Sequence, residues 1–314
     1  MESGSQLGFI ACSYPARVIV GDFILRRNNA GRLVSDKPLT SLMAIDHPEW
    51  LLSLLCSIAS VQGWDELERR LIAISGGHIE KGSKSVQMYI YTLTTLRLLE
   101  AQRKKVKSYF RTALGNQLCT YHVQQDDDYR TYFRSVILLN PRTGPLFKKY
   151  LDLVRKRARS GNPVTTEEVR KKYRDLFRNE SPRTLYALGK ETGMIVDNDG
   201  RLGLASESRR PINDMEFRRA LDKAYSALTT ANMNQLRKIY VTIEDVRNFT
   251  LCMLGRDSQD DFKEPFTRLL DSPKGNDVHI YGAPPQFWQS EEKETVEKRG
   301  FRYKGKLYFL MSIS

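Results

Sequence analysis

The sequence is punctuated in the same way three times. Short amphipathic helical windows follow one another, and each series closes on an alternating segment with turn residues. In the first series, 50–61 is one apolar helix stopped by Gln62-Gly63. Trp64–Ile74 is a second helix, with Leu67 and Leu71 on one face. A third covers 81–100, with Val86, Ile90, Leu93 and Leu96 at helical spacing. The basic run 103–111 then alternates as a β-ribbon should, and a short helix at 113–120 closes the series. Helices at 129–139 and 145–160 lead into the second series. There Thr165-x-x-Glu168 forms a capping box before the stripe Val169, Tyr173, Leu176. Ser181-Pro182 supplies an N-cap and a first-turn proline for a helix with Leu185 and Leu188 inward. Asp197-Asn198-Asp199-Gly200 then turns a hairpin into Arg201-Leu202-Gly203-Leu204. The third series has helices at 214–228 and 232–239, and caps at Thr242-x-x-Asp245 and Ser258-x-x-Asp261. A strand at Val278–Tyr281, an insertion around Pro284-Pro285 and a strand pair over 301–311, turning at Lys304-Gly305, complete it.

These windows predict a mainly α chain with small β-ribbons, of the α+β class. The expected organisation is an N-terminal β element over 1–44, with strand character at 8–35, and a first unit over 45–122. A helical linker and second unit span 123–210, and a third unit spans 211–314. The composition, 40% hydrophobic and 28% charged, is that of a globular chain, not of a disordered polycation. The formal charge is +13, and its placement matters more than its size. Residues 121–210 hold 19 basic against 12 acidic side chains, whereas 211–314 hold 16 against 15. A local positive field of this kind is the footprint of a polyanionic partner.

The order of helices and ribbon resembles tandem winged helix-turn-helix units, in which a third helix is followed by a two-stranded wing. The layout of the first two units is also similar to the DNA-recognition regions of type IIS restriction endonucleases and to prokaryotic winged-helix regulators. The resemblance implies that the third helix enters the major groove while the wing follows the backbone. In the first unit it points to Lys81, Ser83, Lys84, Ser85 and Gln87 on the helix, and to Arg103, Lys104, Lys105, Lys107 and Arg111 on the wing. In the second unit it points to Arg183, Thr184, Tyr186 and Lys190, with Arg201 on the wing. Arginine and glutamine can read base edges by paired hydrogen bonds, and the lysines neutralise phosphates. The third unit departs from this plan, because its third helix begins Asp257-Ser258-Gln259-Asp260-Asp261. Carboxylates repel a phosphate lattice, so a dimer interface or protein-docking surface is expected over 211–314.

Duplex DNA is therefore the expected partner, in transcriptional control or in target recognition within a prokaryotic defence or mobile-element system. No enzyme motif supports catalysis: GxxxxGK[ST], GxGxxG after a strand and GxSxG are all missing from the sequence. His47, His78, His122 and His279 read as isolated, Asp126-Asp127-Asp128 as a solvated linker, and no metal or cofactor is expected. Two alternatives remain: a metal-dependent nuclease with a winged-helix recognition region, and a protein-binding adaptor. The cysteines Cys12, Cys56, Cys119 and Cys252 are scattered without a CxxC pair, so free thiols in a reducing, cytoplasmic setting are expected. The segment 1–7 lacks the basic start of a leader, and no apolar run is long enough to span a membrane.

Overall fold

The computed structural model describes residues 45–103, 107–126, 128–173, 176–177, 181–204, 211–229, 240–256, 258–282 and 299–314. The expected β element at 8–35, the helix at 232–239, the insertion at Pro284-Pro285 and the candidates Lys104 and Lys105 lie outside these residues.

The first series runs α1 (Pro48–Ser57), β1 (Gln62–Gly63), α2 (Trp64–Ile74), α3 (Lys84–Thr95), β2 (Leu99–Arg103) and β3 (Lys107–Arg111). Its antiparallel sheet has the order β1-β3-β2. Two helices are shorter than their apolar spacing predicts. The first ends at Ser57 because Ile58 is extended. The third ends at Thr95 because Arg97 turns into the left-handed region (φ 59°) while Leu98 N–H bonds back to the Leu93 carbonyl. The leucines that seemed to continue the helix, Leu98 and Leu99, instead lead into the strand, where Leu99 pairs with Arg111.

The chain continues through α4 (Ala113–Val123), α5 (Tyr129–Leu139), α6 (Gly144–Arg159), α7 (Thr166–Lys172), α8 (Ser181–Glu191), β4 (Ile195–Asn198) and β5 (Arg201–Leu204). The Thr165/Glu168 capping box is formed in both directions. Asp199 and Gly200 both have positive φ (53° and 80°), the geometry of a two-residue hairpin loop. Leu202 N–H donates to the Val164 carbonyl, so the segment before α7 lies against the hairpin as β1 lies against β3. Of the expected stripe, Val169 is fully buried and Tyr173 is half-buried against the core, whereas Leu176 is 51% exposed and Phe177 is buried in its stead.

The third series is α9 (Asp214–Thr229), β6 (Val241–Thr242), α10 (Ile243–Met253), α11 (Asp260–Asp271), β7 (Val278–Tyr281), β8 (Phe301–Tyr303), β9 (Lys306–Tyr308) and β10 (Leu310–Ile313). Its sheet order is β6-β10-β7, with β8 and β9 forming a separate hairpin. The strand pair expected over 301–311 is thus split: the hairpin turns at Lys304-Gly305, and β10 joins the other sheet. Ser258 does not cap through Asp261; its hydroxyl accepts the Asp260 N–H and the helix starts at Asp260.

One continuous core runs from Ile45 to Met311. Its centre is α5, which packs on α4, α6 and α10. Tyr132, Phe133 and Ser135 on α5 are fully buried, so this helix is part of that core. The small Ser135 and Thr250 let α5 and α10 approach closely. Polar groups fasten the same junction. Tyr132 donates to the Gln117 side-chain oxygen (3.0 Å), and the Gln117 amide donates to Tyr121 (2.9 Å) and Ser226 (3.1 Å). Asp126 and Asp128 are not a solvated linker: both accept from Lys223 on α9, at 2.8 and 2.9 Å. Among the described residues no helix is long and apolar enough to cross a membrane.

Candidate nucleic-acid interface

The start of α3 is held in place from below. Gly82 takes positive φ (76°), and its N–H donates to the buried carboxylate of Glu68 at 2.7 Å. Ser83 caps the helix by accepting the Ser85 N–H at 3.2 Å. The inner face of α3 carries Val86, Tyr89, Ile90 and Leu93 into the core. Lys84 and Gln87 are exposed on the opposite side, with Met88 and Tyr91 half-buried beside them. Lys81 is exposed in the turn before the helix, and Ser83 and Ser85 are half-buried. Among the described residues α3 packs chiefly on α1, α2 and β2 of its own series. An exposed helix face of this kind is the shape that a major groove admits.

Beside it stands the ribbon. The register pairs Gln102 with Ser108 and Arg103 with Lys107. This pair flanks the segment that carries Lys104 and Lys105 in the sequence. Arg111 is different. It stands at the base of the ribbon and lines a pocket with Cys119 on α4.

The second unit corrects the expectation for its third helix. Pro182, Thr184, Leu185, Ala187, Leu188 and Gly189 on α8 are all buried. The helix packs on α1, α6 and α7. Thr184 is fully buried and accepts the Ile45 N–H at 2.9 Å, so it cannot reach a nucleic acid. Tyr186 is half-buried and donates to Asp197, which ties α8 to β4; burial and this carboxylate push its phenol up to about 12. Arg183 is half-buried, while Lys190 and Arg201 are exposed. At the other end, Tyr129 donates to Glu191 at 2.7 Å and fixes α8 to α5. This helix is a structural element within the core.

Further exposed cations in this region lie on α6 and α7. Lys148, Lys149, Lys156 and Arg159 project from α6, and Lys171 and Lys172 from α7. Part of the α7 charge is neutralised locally, by Glu167 with Arg170 (2.7 Å) and Glu168 with Lys172 (3.3 Å). In the third series the start of α11 is acidic and exposed at Asp260, while Phe262, Pro265 and Phe266 are buried. Two of its cations are paired within the series: Arg268 with Asp214 and Glu264, both at 2.9 Å, and Lys304 with Asp271 at 3.0 Å.

Several participants have no sequence signal. Glu68 reads as one more charge on α2. His47 and His78, which read as isolated, both stack with Trp50, at ring-centroid distances of 4.0 and 6.2 Å. His47 is sequence-local to Trp50, whereas His78 reaches it through the α2–α3 turn, which no local pattern encodes. Among the described residues no group of three or more His, Cys, Asp or Glu side chains is placed to hold a metal ion. Comparison with protein-family models, curated proteins and solved structures returned no match.

Proposed function

We propose that this chain binds duplex DNA, and that its three series are tandem winged-helix units with unequal roles. The first unit reads the duplex. The observation that carries this reading is α3, whose inner face is committed to its own unit while Lys84 and Gln87 are exposed on the other side, next to the β2–β3 ribbon. In this reading Gln87 contacts a base edge, Lys84 and Lys81 contact phosphates, and the wing follows the flanking backbone. The second unit contributes charge from Lys190 and Arg201 and keeps α8 as an internal support. The acidic start of α11 favours a protein contact for the third unit, whether a second copy or another chain. Such an arrangement suits transcriptional control or target recognition in a prokaryotic defence or mobile-element system.

Selection of bound sequences from a random duplex pool, at two salt concentrations, tests the proposal. Enrichment of a common motif that disappears with the Gln87→Ala variant is the expected result. Retention of the parent motif by that variant would show that α3 is not the reading element.

A further inference from the structure

Cys56, near the end of α1, and Cys119, within α4, are 63 positions apart in sequence, yet their sulfurs lie 2.7 Å apart. A disulfide bond is about 2.05 Å long, so less than an ångström separates the two thiols from closure. The helices that carry them pack directly on each other. The pair lines an open pocket of about 270 Å³, together with Arg111, Thr120, Val123 and Gln124. Cys119 is buried within it, Cys56 is half-buried, and Val123 is 71% exposed. The Arg111 side chain lines the same pocket as the Cys119 sulfur.

We propose that Cys56 and Cys119 form a redox-active dithiol site that reduces small hydroperoxides, with Cys119 as the attacking sulfur and Cys56 as the resolving one. The thiolate is the nucleophile in such chemistry. The Cys56 S–H bond to Cys119 favours the thiolate there; burial opposes it, and the positive charge of Arg111 in the same pocket acts in its favour. Cys119 is held below the ordinary thiol range as a result. Cys56 is pushed above that range by the same hydrogen bond and by burial, so it keeps its proton.

In the first step the Cys119 thiolate attacks one peroxide oxygen. An S–O bond forms, the O–O bond breaks, and the departing alkoxide takes a proton from solvent to leave as an alcohol, or as water when the substrate is hydrogen peroxide. Cys119 is now a sulfenic acid. In the second step the Cys56 sulfur attacks the Cys119 sulfur. The S–S bond forms, the S–O bond breaks, and hydroxide leaves as water with the Cys56 proton. Two thiols and one hydroperoxide give one disulfide, one alcohol and one water. The two electrons come from the sulfurs.

The test uses the full chain, reduced and freed of reductant, treated with one equivalent of hydrogen peroxide and digested without reduction. Mass spectrometry should find the Cys56–Cys119 cross-linked peptide as the main product. Cys56→Ser should stop at a sulfenic acid on Cys119, trapped by dimedone. Cys119→Ser should consume peroxide at least roughly tenfold more slowly, with no adduct on Cys56. Arg111→Gln should slow the trapping on Cys119 without moving it to another cysteine. Oxidation of Cys12 or Cys252 ahead of the pair would overturn the proposal. So would reaction of Cys119→Ser at the parent rate, or recovery of the parent pair fully reduced. The parent cross-link is decisive even if a variant fails to fold.

Discussion

Thr184 and Gln87 show how two polar residues near the starts of comparable helices come to opposite uses. Thr184 is spent on the Ile45 N–H inside the core. Removing its hydroxyl leaves a buried donor unpaired, at a cost of about 1–3 kcal/mol. Thr184→Ala should therefore lower the urea midpoint while leaving DNA affinity within about twofold of the parent, as an effect on stability alone requires. Gln87 is exposed, and no core contact depends on it. Gln87→Ala should leave the urea midpoint unchanged and weaken specific binding by the loss of one base contact, about 1–3 kcal/mol. Equal affinity of Gln87→Ala for selected and unrelated duplexes, measured by titration, would confirm the assignment.

Among the elements, local chemistry was legible wherever a short pattern closes on itself. The bounds of α2 and α5, the Thr165/Glu168 capping box and the Asp199-Gly200 turn all follow from residues within a few positions of one another. Thr165→Ala should cost about 1 kcal/mol in a denaturation experiment, since it opens both halves of the box. The length of α3 was misread because Leu96, Leu98 and Leu99 satisfy helical and strand spacing alike, and only the pairing with β3 decides between them. The burial of α8 was not legible for a related reason. Ala187 and Gly189 look neutral in sequence, yet a Cβ on Gly189 would collide with Ile195, and Ile45 and α1 cover the far side. The Cys56–Cys119 pair depends likewise on the meeting of α1 and α4, which no spacing rule encodes.

For the whole molecule, the junction around α5 makes one body of the described residues in 45–314. Lys223 is its electrostatic fastening. Burial opposes its charge, but Asp126 and Asp128 hold it above the ordinary lysine range, and it also lies 4.4 Å from the Tyr121 ring centroid. Burial would raise Asp126 as well, and the hydrogen bond from Lys223 holds it below the usual carboxylate range. Arg218 similarly holds Asp277 down through a hydrogen bond that outweighs burial. Groups depressed in this way stabilise the fold above about pH 4, the unfolded carboxylate value, and the contribution is lost as pH falls through the folded value. Lys223→Met should thus be less stable than the parent by about 1–2 kcal/mol at pH 7, and the gap should narrow on acidification as Asp126 protonates. Urea titrations at pH 7 and at pH 3 measure both quantities; a gap that widens at low pH would rule out this origin.

Most of the surplus charge, ten of the thirteen, lies in residues 45–210, and among the described residues exposed cations stand on α6 and α7 more than on α8. The salt dependence of binding reads this distribution directly. If about eight cations meet phosphates, affinity for a duplex should fall roughly a thousand- to ten-thousand-fold between 50 and 200 mM salt. Replacing Lys104, Lys105 and Lys107 together by alanine should flatten that slope for every duplex sequence alike. A parent affinity that does not change with salt, or a triple variant with the parent slope, would contradict duplex binding through the first unit.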